Sequence, residues 1–291
     1  MQFKDGRTYT HEHVTIDLSG PKQDEDCKLD DFDETVKEFK TLKNQNVCNI
    51  IDLTNRGMGR NVDYVMKVKE ETGINIVCST GYYKEPFLPK EVYDLSEKEL
   101  SKIMIDEIVN GIEKSKVKAE VIGEIGTGKE NIKPEEEKVF KAASRAHIET
   151  GKPIVTHTTL GRLGDEQIKI FKAFNVNLDK VVISHVDLSG DLNYIVRLID
   201  EGVNVAFDTI GKIKYKPDEM RVDFIKELCS MGFSSKIVLS MDITRKSHLK
   251  NKGGCGYSFL IQDFLPKLKK AGVSEKNIEN MTEKNAVRIF G

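Results

Sequence analysis

Two histidines flank a glutamate at His11-Glu12-His13, and four more residues of metal-binding type follow: Glu124, His157, His185 and Asp242. Each of the four closes a short, mainly apolar run, such as Val121-Ile122-Gly123-Glu124 or Val181-Val182-Ile183-Ser184-His185. Imidazole beside carboxylate suits a borderline divalent cation such as Zn, Mn, Fe, Co or Ni. Residues i and i+2 of a strand share a face, so His11 and His13 aim together, while Glu12 aims away into the wall between strands and helices. Singly, each has an ordinary structural use: a strand-end histidine as a hydrogen-bonded residue, Glu124 in a rim ion pair, Asp242 as a turn or helix cap. Together they indicate one metal centre.

The elements that must position them follow from periodicity. Apolar or β-branched runs at about 8–13, 47–54, 74–80, 119–125, 153–158, 181–186, 203–209 and 237–242 read as buried parallel strands. Helical patterns fill the gaps. Asn61 caps one helix, Ser96 and Glu99 form a capping box for another, and Pro134 and Gly151 bound a third. The last two helices are expected at 259–271 and 275–289. Alternating strands and helices give a single (β/α)8 TIM barrel over residues 1–291, with the metal centre at the C-terminal end of its strands. An open doubly wound sheet is disfavoured, because no glycine-rich fingerprint follows the first strand. Around a closed barrel, strands one and eight adjoin, so His11, His13 and Asp242 form one cluster and His157 and His185 another. Glu124, on strand four, reaches between them, and a carboxylate can bridge two cations.

Size and composition set the outer limits. The chain has 291 residues, 45 basic and 47 acidic side chains and a net charge of −2, which argues against general nucleic-acid binding. No run approaches the roughly 18–20 apolar residues of a membrane span, and no secretory signal is visible at the start. Five cysteines without a Cys-x-x-Cys spacing suggest free thiols and a cytoplasmic protein. Cys255, between glycines, is the one read as loop-placed and open to reaction.

At these residues the chain resembles the phosphotriesterase family of the amidohydrolase superfamily, and within it the branch called phosphotriesterase homology proteins. The resemblance spans nearly the whole chain. Its motifs include Thr10-His11-Glu12-His13, Thr80-Gly81-Tyr82-Tyr83, Phe207-Asp208-Thr209-Ile210-Gly211-Lys212 and Leu239-Ser240-Met241-Asp242-Ile243-Thr244-Arg245. It implies that His11, His13 and Asp242 bind a buried metal, His157 and His185 an exposed one, and that a strand-four residue bridges them. Many members bridge with a carboxylated lysine. Here Glu124 takes that position, no lysine lies between Ala119 and Thr127, and the homology-protein branch shares the departure. The chain has no Trp, and Thr209 rather than histidine follows the strand-seven Asp208. Both departures count against bulky organophosphate triesters as the natural substrate.

The expected function is a divalent-metal-dependent hydrolase. A metal-bridged hydroxide would act on a small anionic ester or lactone, with a phosphorylated sugar lactone in view and Asp242 as the proton acceptor. Two cations are expected, zinc first, with Mn, Co or Fe under the same ligands. Arg245, three residues beyond Asp242, is the first choice for capturing a substrate anion. Lys214, Tyr82, Tyr83 and His248 are further substrate contacts, although His248, like His147, also has an ordinary structural reading. Ser184 and Ser240 are expected to face the helix layer. Phosphoesterase activity, on triesters or phosphomonoesters, is the alternative within the class; a non-catalytic, metal-containing ligand-binding barrel is the alternative outside it. The expected partner is a small anionic molecule rather than nucleic acid or membrane, and a homodimer is left open.

Overall fold

The structure, a computed structural model, describes residues 3–291. Eight parallel strands succeed one another around a single sheet: β1 Arg7–Glu12, β2 Val47–Asp52, β3 Asn75–Thr80, β4 Val121–Thr127, β5 Ile154–Thr158, β6 Val181–Ser184, β7 Asn204–Phe207 and β8 Ile237–Leu239. Seven helices return the chain between them: α1 Phe32–Asn44, α2 Val62–Thr72, α3 Glu97–Val109, α4 Pro134–Thr150, α5 Gly164–Ala173, α6 Leu192–Asp200 and α7 Asp218–Ser230. The protein is a (β/α)8 barrel. Among the described residues no helix is long and apolar enough to cross a membrane.

The helix ends follow local chemistry. The Asn61 side chain accepts from Tyr64 N at 3.0 Å, and Ser96 and Glu99 cap α3 reciprocally. Gly151 ends α4 in the left-handed conformation. The expected helix at 259–271 is interrupted by a π turn, Leu260–Phe264, before Leu265–Lys270. Pro266 has no N–H to give to the preceding turn, and the backbone widens to accommodate it.

Two apolar layers hold the barrel. Ile51, Val77, Val121, Val155, Val182 and Val238 fill its interior, closed at the N-terminal end by Ile289 and Phe290 of the last helix, Asn285–Phe290. Between strands and helices lies a larger core that includes Ile50, Ile76, Ile122 and Ile183. Neighbouring residues of a strand thus serve different layers, as strand alternation requires.

Closure between β1 and β8 uses a side chain. Asp242 N donates to His11 O at 3.2 Å, and His11 N donates to Ser240 Oγ at 3.1 Å. The Glu12 carboxylate accepts from Met241 N at 2.7 Å, Ile243 N at 3.1 Å and the Ser240 hydroxyl at 2.7 Å. Glu12 therefore lies in the seam itself rather than in the wall behind it. After β1 the chain forms a two-stranded antiparallel ribbon, Ile16–Asp17 with Lys28–Leu29, and brings Asp24 and Asp26 to the barrel mouth.

Candidate metal centre

Glu124 reaches the barrel interior because β4 is irregular. Ile122 and Ile125 both serve the outer core, an odd spacing that strict alternation forbids, and the pairing with β5 shifts register between them. Gly123 makes this possible: a Cβ there would lie 2.5 Å from Val155 O. Inside, Glu124 Oε1 stands 3.4 Å from His13 Nε2. Its Oε2 is 3.4 Å from His11 Nε2, 3.2 Å from His157 Nδ1 and 3.5 Å from His185 Nε2. Asp242 Oδ1 lies 3.4 Å from His13 Nε2 and 3.8 Å from His11 Nε2. All six residues read from the sequence as metal ligands are brought together around one carboxylate.

The chain bends to bring them there. His185 and Asp242 have φ of 60° and 49°, left-handed values that turn each side chain inward just beyond its strand. For the same reason Ser184 does not face the helix layer as expected. It alternates with Val182 on the inner face, and its Oγ lies 3.1 Å from His11 Nδ1. Ser240, also expected outside, sits in the seam on Glu12.

Asp208 is the residue the sequence reading passed over. One of its oxygens is 2.8 Å from His185 Nδ1 and accepts from His185 N at 2.9 Å; the other is 2.9 Å from His11 Nδ1. A carboxylate on Nδ1 holds the proton there and leaves Nε2 as the free donor atom. His13 is fixed by Thr54 Oγ1 at 2.9 Å from its Nδ1. The available signal was position: Asp208 follows β7 as the other candidates follow their strands.

The donor set fits a divalent cation. His11 Nε2 and His13 Nε2 are buried and make no hydrogen bond, although both face Glu124. Three carboxylates, Glu124, Asp208 and Asp242, are buried within the same cluster. Burial opposes their ionisation, but the surrounding imidazoles, with Lys212 at Asp242, hold Glu124 and Asp242 well below the usual carboxylate range. Burial likewise opposes protonation of His11, and Asp208 and Glu124 outweigh it, pushing His11 up to about 10. His157, the most exposed of the four, is depressed by burial to about 4. Protonated imidazoles and Lys212 balance these carboxylates, and the same nitrogens and oxygens are the donors that a divalent cation takes. The exposed side of the cluster opens at His157.

A cleft of about 180 Å³ lies above the cluster, with Tyr83, Leu160, Lys212, Tyr215, Arg245 and His248 on its walls. Tyr83 lines the cleft, its hydroxyl 3.2 Å from His157 Nδ1. His248 also lines the cleft; its Nδ1 accepts from Thr244 N at 3.3 Å, and burial holds it down to about 4. Arg245 reaches the cleft, but its guanidinium is engaged by Asp24 at 2.7 Å and Asp26 at 3.3 Å, so the acidic loop after β1 already meets its charge. Two expected contacts lie elsewhere. Tyr82 is fully buried away from the cleft, its ring under the Arg56 guanidinium, because alternation after β3 sends it opposite to Tyr83. Lys214 lines only an adjoining cavity, while Lys212, two residues earlier, contacts the Asp242 carboxylate. Cys255 is half-buried and its thiol is pushed up to about 11 by burial, which does not favour reaction.

A parallel (β/α)8 barrel with histidines and carboxylates converging at its mouth defines a class, the metal-dependent hydrolase barrels. The chain belongs to the phosphotriesterase family, whose sequence model matches residues 2–290, and members of that family are metal-dependent hydrolases. The phosphotriesterase homology protein of Escherichia coli K12 is 45% identical over 285 residues, covering 98% of each chain. A crystal structure of the Escherichia coli homology protein, complexed with phosphate in its active site, superimposes with a TM-score of 0.97, covering 98% of this chain and 99% of that one. A phospho-furanose lactonase of Mycoplasmopsis synoviae is 32% identical, covering 98% of this chain and 87% of that protein.

Proposed function

We propose that the protein hydrolyses a small anionic ester or lactone, with a phosphorylated sugar lactone as the first candidate, and that it uses two divalent cations, zinc first. His11, His13 and Asp242 would hold one, His157 and His185 the other, with Glu124 between. The observation that carries the reading is the cleft. At about 180 Å³ it suits a small molecule, and Lys22 and Lys212 line it above the histidine–carboxylate cluster, with the Asp24- and Asp26-paired Arg245 at its edge. The phosphate-bearing Escherichia coli structure and the phospho-furanose lactonase support an anionic, phosphate-carrying ligand.

When bound, the cations would supply an acidified water and a Lewis acid for the scissile oxygen. The chain's own residues do the rest. Lys212 contacts Asp242 Oδ2 and lines the cleft, so an anionic substrate group competes for its ammonium. Drawing Lys212 away frees Asp242 Oδ2 to take the proton as water adds. The Tyr83 hydroxyl, beside His157, is placed to donate to the substrate oxygen. Leu160, Leu188 and Tyr215 wall the cleft and restrict the entry of bulk water.

The test compares a phosphorylated sugar lactone, a plain phosphomonoester and paraoxon on the metal-loaded protein. Preferential lactone turnover supports the proposal; cleavage of the phosphomonoester alone replaces it with the phosphoesterase reading. Near-zero metal by elemental analysis after loading would remove the two-cation reading, and bound metal without turnover of any of the three would favour the metal-containing ligand-binding barrel.

A further inference from the structure

Arg221, on α7, is fully buried, yet it contacts neither the cleft nor the histidine cluster. Its Nε donates to Asp187 Oδ2 at 2.6 Å. One terminal nitrogen donates to Asp218 Oδ1 at 2.9 Å and to Lys216 O at 2.7 Å, and the other to Thr209 Oγ1 at 2.9 Å. Thr209 in turn donates to Asp187, and Gly211 N donates to Asp218 Oδ1 at 3.1 Å. Two partners stand near the site in sequence: Asp187 lies two residues after His185, and Thr209 follows Asp208. Asp218 reaches it through Gly211, which precedes Lys212.

Asp208 and the fully buried Ile210 hold the start of the segment between β7 and α7. Farther on, Ile213 and Tyr215 are 67% and 57% exposed, so side-chain packing contributes least to the path of residues 212–216. A planar guanidinium fork satisfies several acceptors at once in a fixed geometry, as a flexible ammonium does not.

We propose that Arg221 is a positioning residue: from beneath, it anchors residues 208–216 to the loop after β6 and so holds Lys212 against Asp242. The proposal rests on the reading of Lys212 as an anion-binding group at the cleft.

The experiment uses the metal-loaded full chain, inorganic phosphate as probe, and the variants Arg221→Met, Lys212→Met, their double, and Asp218→Asn. Amide exchange by mass spectrometry reads the loop independently of activity. Residues 210–216 are expected to exchange about 10-fold faster in Arg221→Met and in Asp218→Asn, with the barrel strands unchanged. Phosphate affinity by calorimetry is expected to fall about 10-fold in Arg221→Met and in Lys212→Met. The double variant should lose no more than either single, because both act through one ammonium. Unchanged exchange at 210–216, or an additive loss of about 100-fold in the double variant, overturns the proposal. If Arg221→Met does not fold, the exchange of Asp218→Asn decides. If Lys212→Met binds phosphate as tightly as the parent while exchange rises in the other variants, the anchor stands and the role given to Lys212 falls.

Discussion

His185 and Asp208 are joined twice: the backbone N and the ring Nδ1 of the histidine both meet the same aspartate oxygen, at 2.9 and 2.8 Å. The aspartate's other oxygen takes His11 Nδ1. One carboxylate therefore orients candidate ligands from both halves of the barrel. Asp208→Asn should lower metal affinity about 10- to 100-fold, read by elemental analysis after equilibration with a chelator. Affinity equal to the parent would show that the two rings are held by packing alone.

Asp242 faces both the cluster and the cleft. Asp242→Asn keeps its shape but cannot accept a proton, and turnover of the best substrate should fall about 10²- to 10⁴-fold. Far-UV circular dichroism should match the parent. A rate within twofold would remove Asp242 as proton acceptor.

The charge balance of the cluster makes metal uptake pH-dependent. Burial works against protonation of His11, but Asp208 and Glu124 raise it to about 10 in the metal-free protein. A raised folded value means that this protonation stabilises the metal-free fold fully below the ordinary 6.5, and the contribution fades as pH climbs toward 10. A cation must displace that proton. Metal affinity should therefore rise between about pH 6.5 and 10, and calorimetry in buffers of different ionisation enthalpy should show proton release. Affinity independent of pH across that window would contradict the arrangement.

The two adjacent tyrosines offer an internal control. Tyr83→Phe removes the hydroxyl beside His157 and should lower kcat/KM about 10-fold. Tyr82→Phe, buried away from the cleft, should stay within about twofold, since no substrate reaches it. Equal effects at both positions would mean that the loop after β3 moves as a unit.

A similar contrast applies to the lysines after β7. Lys212→Met should raise KM for an anionic substrate about 10-fold or more, and Lys214→Met should change it less than about twofold. The reverse result would place the substrate anion in the cavity that Lys214 lines.

Much of the site was legible because strand ends announce themselves. Glu124, His157, His185 and Asp242 each close an apolar run, His11 and His13 end a first strand assigned mainly by position, and a barrel brings such positions to one mouth. What failed was alternation carried past a strand's end. Ser184 was assigned outward by counting back from His185, but the left-handed φ of His185 breaks the count. Glu124 faces inward only because β4 slips register at Gly123, which no periodicity reveals. Arg245 was chosen for its distance from Asp242 along the chain, and Lys214 from the lysines that follow strand seven. The loop after β1, remote in sequence, pairs with Arg245, and a turn after β7 brings Lys212 in and leaves Lys214 out.

The seam at Glu12 has a consequence for how the protein is made. β1 leaves the ribosome before the other seven strands, yet the amides that its glutamate must bind, those of Met241 and Ile243, follow only after β8. Until they emerge, Glu12 lacks its protein donors, and the two histidines beside it lack Asp242. Ring closure and assembly of the histidine–carboxylate cluster are thus one late event of biosynthesis, and a chain truncated before residue 241 can complete neither.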